Sequence, residues 1–233
     1  MHTDTLIETH NLSRIYRLGD NIINALDDIS ISIKKGEFVS VMGPSGSGKS
    51  TFMNVVGCLD KPTAGAYYLE GVNVGRLTRD ELSSIRNEKI GFVFQGFNLL
   101  SRTTAIENVE LPLLYNSINA RQKRDRAREA LKIVGLDDRR DHHPNQLSVG
   151  QQQRVTIARA IVNDASILLA DEPTGNLDTK TSAEIMKLFV ELNTQSHITI
   201  ILVTHESDIA AYGRRLVGFL DGKIISDEVV EKT

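Results

Sequence analysis

The chain has 233 residues, 27 Lys plus Arg against 30 Asp plus Glu, a formal charge of −3, and 40% apolar and 24% charged residues. That balance excludes disordered and collagen-like chains, and a near-neutral charge argues against a dedicated nucleic-acid binder, which carries a basic surface. Cys58 is the single cysteine, so neither an intrachain disulfide nor a multi-cysteine zinc cluster is available, and a reducing compartment is expected.

The first residues, Met1-His2-Thr3-Asp4-Thr5, show neither a basic run nor an apolar run, so no leader is expected. Farther on, Ile29-Ser30-Ile31-Ser32-Ile33 alternates apolar and polar residues, which predicts a small antiparallel sheet in the N-terminal region. Phe38-Val39-Ser40-Val41-Met42 reads as a strand that meets a Gly/Ser loop at Gly43, with a helix predicted over Thr51–Cys58. A second strand, Ile90-Gly91-Phe92-Val93-Phe94, stops at Gln95. Helical spacing over Asn119–Val134 and again over Gln151–Val162 predicts a helical insert at about 97–163, inside one domain over 1–233, because no Pro/Gly/Ser linker sets it apart. Two more strands follow. Ile167-Leu168-Leu169-Ala170 stops at Asp171-Glu172, and Ile198–Val203 stops at Thr204-His205. Leu220-Asp221-Gly222-Lys223-Ile224 has the Asp-Gly signature of a hairpin. No apolar stretch approaches the ~18 residues of a membrane helix. The fold class predicted is α/β: a phosphate-loop core with a parallel sheet, a small antiparallel β subdomain and the helical insert.

The strand ends carry the chemistry, as expected of a parallel sheet. Gly43-Pro44-Ser45-Gly46-Ser47-Gly48-Lys49-Ser50 fits the phosphate-loop pattern between a strand and a helix. Its glycines let successive N–H groups curl toward phosphate oxygens, the helix start adds its positive end, and Lys49 adds a charge. Gly43, Pro44, Ser45, Gly46, Ser47, Gly48, Lys49, Ser50 and Thr51 are therefore candidate nucleotide contacts, and the Ser50 hydroxyl a candidate Mg²⁺ ligand. Asp171 is placed to reach the same ion. Glu172, one residue on, points elsewhere and is a candidate general base for an attacking water. His205 closes a neighbouring strand and is a candidate γ-phosphate contact. His142 and His143, ahead of Pro144 in a polar loop, read as solvated turn residues, and the basic run Arg121–Arg128 as a solvated helix face.

Leu147-Ser148-Val149-Gly150-Gln151-Gln152-Gln153-Arg154, downstream of a phosphate loop and shortly before an Asp-Glu strand end, resembles the signature of the ATP-binding cassette family, and the resemblance runs from Tyr16 to the final hairpin. It implies a fold, an activity and roles for residues. Tyr16 is similar to the aromatic that stacks on adenine, Gln95 to the glutamine that reaches Mg²⁺ and the attacking water, and His205 to the histidine that holds the γ-phosphate. Gly175-Asn176-Leu177-Asp178 resembles the loop that crosses between subunits, which makes Asp178 a candidate contact.

The resemblance also places signature and phosphate loop far apart in one subunit. It implies a homodimer with each ATP between the loop of one copy and Ser148, Gly150 and Gln151 of the other. The cofactors implied are ATP and Mg²⁺. The partners are a second copy and an integral membrane permease, with no nucleic acid, at the cytoplasmic face of the inner membrane.

Gly57–Thr63, Gly91–Leu100 and Thr104–Leu113 are similar to the macrolide-exporter and lipoprotein-releasing type of cassette. Phe97, Leu99, Leu100, Leu111, Leu113 and Leu114 either line a groove for the permease or pack the insert. The alternatives are a soluble cassette acting on ribosomes or DNA, whose fused second cassette or long coiled coil the chain does not show, and a non-hydrolysing switch, disfavoured by Gln95, Glu172 and His205. Val149 stands where the family usually has glycine. Its β-branch is ill suited to positive φ, so it is expected to have an ordinary negative φ and to point away from the nucleotide.

Overall fold

The structure, a computed structural model, describes residues 4–19 and 21–230. Met1, His2 and Thr3, part of the stretch in which no leader is expected, lie outside them. Two long strands, β1 (Thr5–Leu18) and β2 (Asn21–Lys34), form an antiparallel ribbon. Along β2, Ile29, Ile31 and Ile33 are buried while Ser30, Ser32 and Lys34 face solvent, as the alternation predicts. Next come β3 (Phe38–Met42), the Gly-rich loop and α1 (Lys49–Val56). The helix thus opens before Thr51, on the left-handed Gly48, and closes before Cys58.

The strands β4 (Ala64–Leu69) and β5 (Val72–Asn73) return to the ribbon, so the antiparallel sheet, in order β2-β1-β4-β5, reaches well past the N-terminal region. Periodicity does not reveal the next helix, α2 (Arg79–Lys89), because Leu82 is its one buried residue. Its local signal is the capping box between Thr78 and Glu81.

After β6 (Ile90–Phe94) the insert folds as α3 (Ala105–Glu110), a 3-10 turn at Leu111–Tyr115, α4 (Ala120–Ile133) and α5 (Val149–Ile161). Thr104, Asn119 and Ser148 close capping boxes at the starts of the three helices. The Ser148 box starts α5 at Val149, two residues ahead of Gln151. The remaining elements are β7 (Ile167–Asp171), α6 (Thr179–Ser196), β8 (Thr199–Val203), α7 (Ser207–Ala210), β9 (Arg215–Leu220) and β10 (Lys223–Val229). Asp221 and Gly222, at φ 47° and 78°, make the expected hairpin turn.

The second sheet has the order β10-β9-β3-β8-β7-β6, parallel from β9 to β6, with β10 added antiparallel. Its central strands are buried on both faces, so successive residues feed two cores. Leu168, Ala170, Ile200 and Leu202 face α5, α6 and the insert, packing in one continuous cluster with Val155, Phe189, Val109 and Leu131. Leu169, Ile201, Val41 and Val203 face the other way, toward Phe52 and Met53 of α1 and toward Ile31, Ile33 and Tyr67 of the antiparallel sheet. The insert has no core of its own.

The backbones of α5 and β6 approach closely at Gly91. A Cβ at Gly91 would lie 2.2 Å from the carbonyl oxygen of Ala160. Gly91→Ala is expected to push α5 off the sheet and to remove about 1–3 kcal/mol of stability. Thermal unfolding should show it as a Tm lower by several degrees, with ~2–4 °C per kcal/mol at this chain length.

Candidate active site

Register fixes the site. Phe94 pairs with Asp171, Asp171 with Val203, and Val41 with Val203, so β3, β6, β7 and β8 end at one level. The residues that follow those ends share one cleft of about 960 Å³, with Tyr16 and Pro44–Thr51 on its walls alongside Gln95, Asp171, Glu172 and His205. Gly43 stands at the exit of β3, where its carbonyl accepts from Lys49.

The loop is a preformed cradle. Gly48 has φ 101°, and a Cβ there would sit 2.5 Å from the carbonyl oxygen of Ala25, so the loop and β2 can touch only with glycine at this position. Lys49 is buried, and its Nζ donates to the carbonyls of Gly43 (2.8 Å) and Pro44 (2.9 Å). The Ser47 hydroxyl is buried without a partner among the described residues, on the side of the loop where a Cβ at Gly43 would lie 2.7 Å from it. The Asp171 carboxyl has its pKa raised first by burial and then by the charge of Glu172, against the opposing pull of Ser50 and Lys49. A hydroxyl, an amide and a carboxylate at Ser50, Gln95 and Asp171 are all oxygen donors, a set suited to a hard divalent cation such as Mg²⁺.

Glu172 leaves the strand in the left-handed region at φ 47°, a conformation that costs a non-glycine residue about 1–3 kcal/mol. Its N–H still bonds Val203 at 2.9 Å, so the turn begins on the pairing edge itself. The carboxylate swings to His205, with Oε1 2.7 Å from Nδ1, while Oε2 accepts from Thr204 Oγ1 at 3.3 Å. Gln95 is tied to the loop before α6: its carbonyl accepts from Asn176 Nδ2 at 2.9 Å and its Nε2 reaches Asn176 Oδ1 at 3.5 Å.

The other predicted residues lie elsewhere. Ser148 and Gln151 cap α5 reciprocally, the Gln151 N–H on Ser148 Oγ (3.2 Å) and the Ser148 N–H on Gln151 Oε1 (2.9 Å), while Gly150 faces Thr181 of α6. Asp178 caps α6 through the N–H groups of Lys180 and Thr181 and the Thr181 hydroxyl (2.6 Å), and its pKa is lowered by the bonds from Thr181. None of these four lines the cleft. Val149 has no positive φ, as expected, and it is exposed in the first turn of α5.

Leu113 is fully buried, and Leu99 packs against the core. Leu111 and Leu114 instead line a second groove of about 850 Å³ with Phe92, Phe94, Tyr115 and Arg159. His142 and His143 belong to no metal-binding group among the described residues. Thr204 and Asn176 stand within recognised motifs that assign them no role, and Ile23, Asn24 and Ala25 reach the cleft from a strand without any motif.

A phosphate loop opening onto an Asp-Glu strand end and a histidine on the neighbouring parallel strand defines a phosphate-loop nucleoside triphosphatase. Residues 26–175 match the ABC transporter family. The ABC transporter ATP-binding protein MJ0796 of Methanocaldococcus jannaschii is 49% identical over 227 residues, covering 96% of this chain and 97% of that one. The macrolide export ATP-binding/permease protein MacB of Chlorobium phaeobacteroides is 51% identical over 223 residues, 96% of this chain but 34% of the longer MacB. A dimeric, post-hydrolysis structure of MJ0796 bound to ADP and Pi superposes with a TM-score of 0.89 at 46% identity, covering 98% of this chain and all of that one. The chain belongs to the ABC transporter family. It is an ATP-binding and ATP-hydrolysing cassette, and the transporter reading stands over the soluble alternative.

The Glu172–His205 contact has a pH signature. Glu172 raises the His205 pKa above the ordinary imidazole value, through its hydrogen bond first and its charge second. Stabilisation from a raised histidine is complete below its unfolded value, ~6.5, and is lost as pH rises through the folded value. Glu172→Gln is expected to lower the His205 midpoint, read by NMR titration of the ring Cε1–H. The stability difference between the two proteins should shrink as pH rises through the wild-type midpoint.

Proposed function

We propose that the chain works as a homodimer that sandwiches two Mg²⁺-ATP molecules and couples their hydrolysis to a membrane permease. The observation that carries this reading is the division of the predicted site: one cleft collects the groups for base, phosphates and water, while Ser148, Gly150, Gln151 and Asp178 stand outside it at two helix starts. A second copy placed head to tail supplies those residues to the open side of the cleft. Dimerisation of the MJ0796 relative supports the arrangement.

In this reading Tyr16 stacks on the base, the N–H groups of the Gly43–Ser50 loop and Lys49 hold the phosphates, and Thr51 adds to the helix start. Lys49 exchanges its bonds to the Gly43 and Pro44 carbonyls for phosphate oxygens. Ser50, Gln95 and Asp171 hold Mg²⁺, which when bound neutralises charge on the phosphate oxygens. Glu172 takes a proton from the attacking water as the water oxygen bonds to the γ-phosphorus and the bond to ADP breaks. His205, held at Nδ1 by Glu172, presents its other ring nitrogen to the γ-phosphate.

A permease segment occupies the groove beside Leu111 and Leu114, placing the chain at the cytoplasmic face of a membrane. No helix among the described residues is long and apolar enough to cross a membrane. A structural relative, 30% identical at a TM-score of 0.87, is part of the transporter complex cbiONQ.

Glu172→Gln is expected to bind ATP, to stop turnover and to accumulate as a dimer by light scattering, and hydrolysis at the wild-type rate sinks the general-base role. Ser148→Arg should abolish both dimer and turnover, whereas Val149→Gly should alter turnover little, because Val149 has no positive φ for glycine to relieve. Lys49→Ala should weaken ATP binding itself.

Purification from native membranes should recover the chain with an integral membrane protein. Sedimentation with ribosomes instead would overturn the permease reading.

A further inference from the structure

The stretch after α1, Asp60-Lys61-Pro62-Thr63, contributes nothing to the chemistry described above, yet it grips the strand that carries Tyr16. Asp60 Oδ2 accepts two bonds at 2.8 Å, one from Arg14 Nε and one from the Tyr16 hydroxyl. Its other oxygen accepts from the Lys61 N–H at 2.8 Å. Thr63 Oγ1 accepts from the Ile15 N–H at 3.0 Å, and the Thr63 N–H donates to the Ser13 carbonyl at 2.8 Å. Asp60 is itself anchored, since the Leu59 and Asp60 N–H groups both bond the Asn54 carbonyl in the last turn of α1. The helix that starts at the phosphate loop therefore ends at this grip.

The grip acts on one ring. Arg14, two residues before Tyr16 and so on the same face of the strand, lays its guanidinium over the ring with Cζ 4.5 Å from the centroid. One face of the ring is thereby covered, and the hydroxyl fixes the ring's long axis. Pairing runs Arg14–Leu26 and then Ile15–Asn24, leaving Ala25 as an extra residue on β2, a bulge of the kind that re-aims side chains beside a site. Tyr16 is paired with Ile23, and both line the nucleotide cleft.

We propose that Asp60 and Arg14 are positioning residues that clamp Tyr16 as a preset stacking platform, leaving its uncovered face for the purine of the nucleotide. The proposal rests on the reading of Tyr16 as the base contact. Without the clamp the ring must be immobilised at binding, an ordering cost that falls on the nucleoside part of the ligand alone.

The test is calorimetric titration of the full chain with Mg²⁺-ATP and, separately, with inorganic triphosphate, which has phosphates and no base. Tyr16→Ala is expected to raise the Kd for ATP about 5- to 150-fold, the range of a base–aromatic stack, and to leave triphosphate unchanged. Asp60→Ala and Arg14→Ala should each raise the Kd for ATP about two- to tenfold, again with triphosphate unchanged. Adding Asp60→Ala to Tyr16→Ala should cost nothing further, because the two residues act as a unit. Asp60→Asn, which keeps an acceptor for the phenol, serves as the milder variant if the alanine protein does not fold, and should give a smaller loss of the same kind. If Tyr16→Ala weakens ATP while both clamp variants bind it normally, the clamp is wrong and the stacking reading survives. Equal weakening of ATP and triphosphate by Asp60→Ala would reduce Asp60 to a structural residue and overturn the proposal. An unchanged Kd in Tyr16→Ala removes the stacking reading, and the clamp with it.

Discussion

The structure depends on the common termination of four parallel strands. Strands buried on both faces cannot carry charged side chains along their length, since an unpaired buried charge costs several kcal/mol or more. Polar chemistry is therefore displaced to the carboxyl edge, where β3, β6, β7 and β8 release the phosphate loop, Gln95, Asp171-Glu172 and Thr204-His205 within reach of one another. A shift of one residue in the β7–β8 register would exchange Leu168 and Leu169 between the two cores and carry Asp171 away from Ser50. Core packing and site geometry are thus set by the same register.

The charges gathered at that edge offset one another. Lys49 spends its donors on two loop carbonyls, Glu172 is engaged by His205 and Thr204, and Asp171, half-buried beside Glu172, is eased by Ser50. The basic run on α4 is balanced likewise: Arg124 meets Glu110 and Asp141, and Arg128 meets Asp137. These exposed pairs contribute little to stability, and with them the run makes an ordinary solvated helix face.

The antiparallel sheet and the insert sit on opposite faces of the parallel sheet. One brings Tyr16, Ile23 and Ala25 to the cleft, where the Ala25 carbonyl lies against Gly48 of the loop. The other shares its core with α5 and α6, so the signature at the start of α5 is packed as part of the insert. Asn176, bonded to Gln95 from the loop before α6, joins the strand edge to that side.

Sequence alone determined the parts whose cause is local. Continuous apolar runs gave four of the five parallel strands but not β9, Asn119 capped α4 where the helical spacing began, Asp221-Gly222 supplied the two left-handed residues its hairpin needs, and the loop pattern together with Asp171-Glu172 marked the chemistry. Tertiary structure decided what depends on contacts between distant segments. The polar α2 has too little apolar surface to betray itself, β4 and β5 earn their place only by pairing with β1, and Ile23 and Asn24 reach the cleft only because β2 bulges toward the loop. The grip of Asp60 on Tyr16 is likewise invisible in the sequence, since a carboxylate takes its meaning from the donors that folding brings to it, and here both donors lie more than forty residues away along the chain.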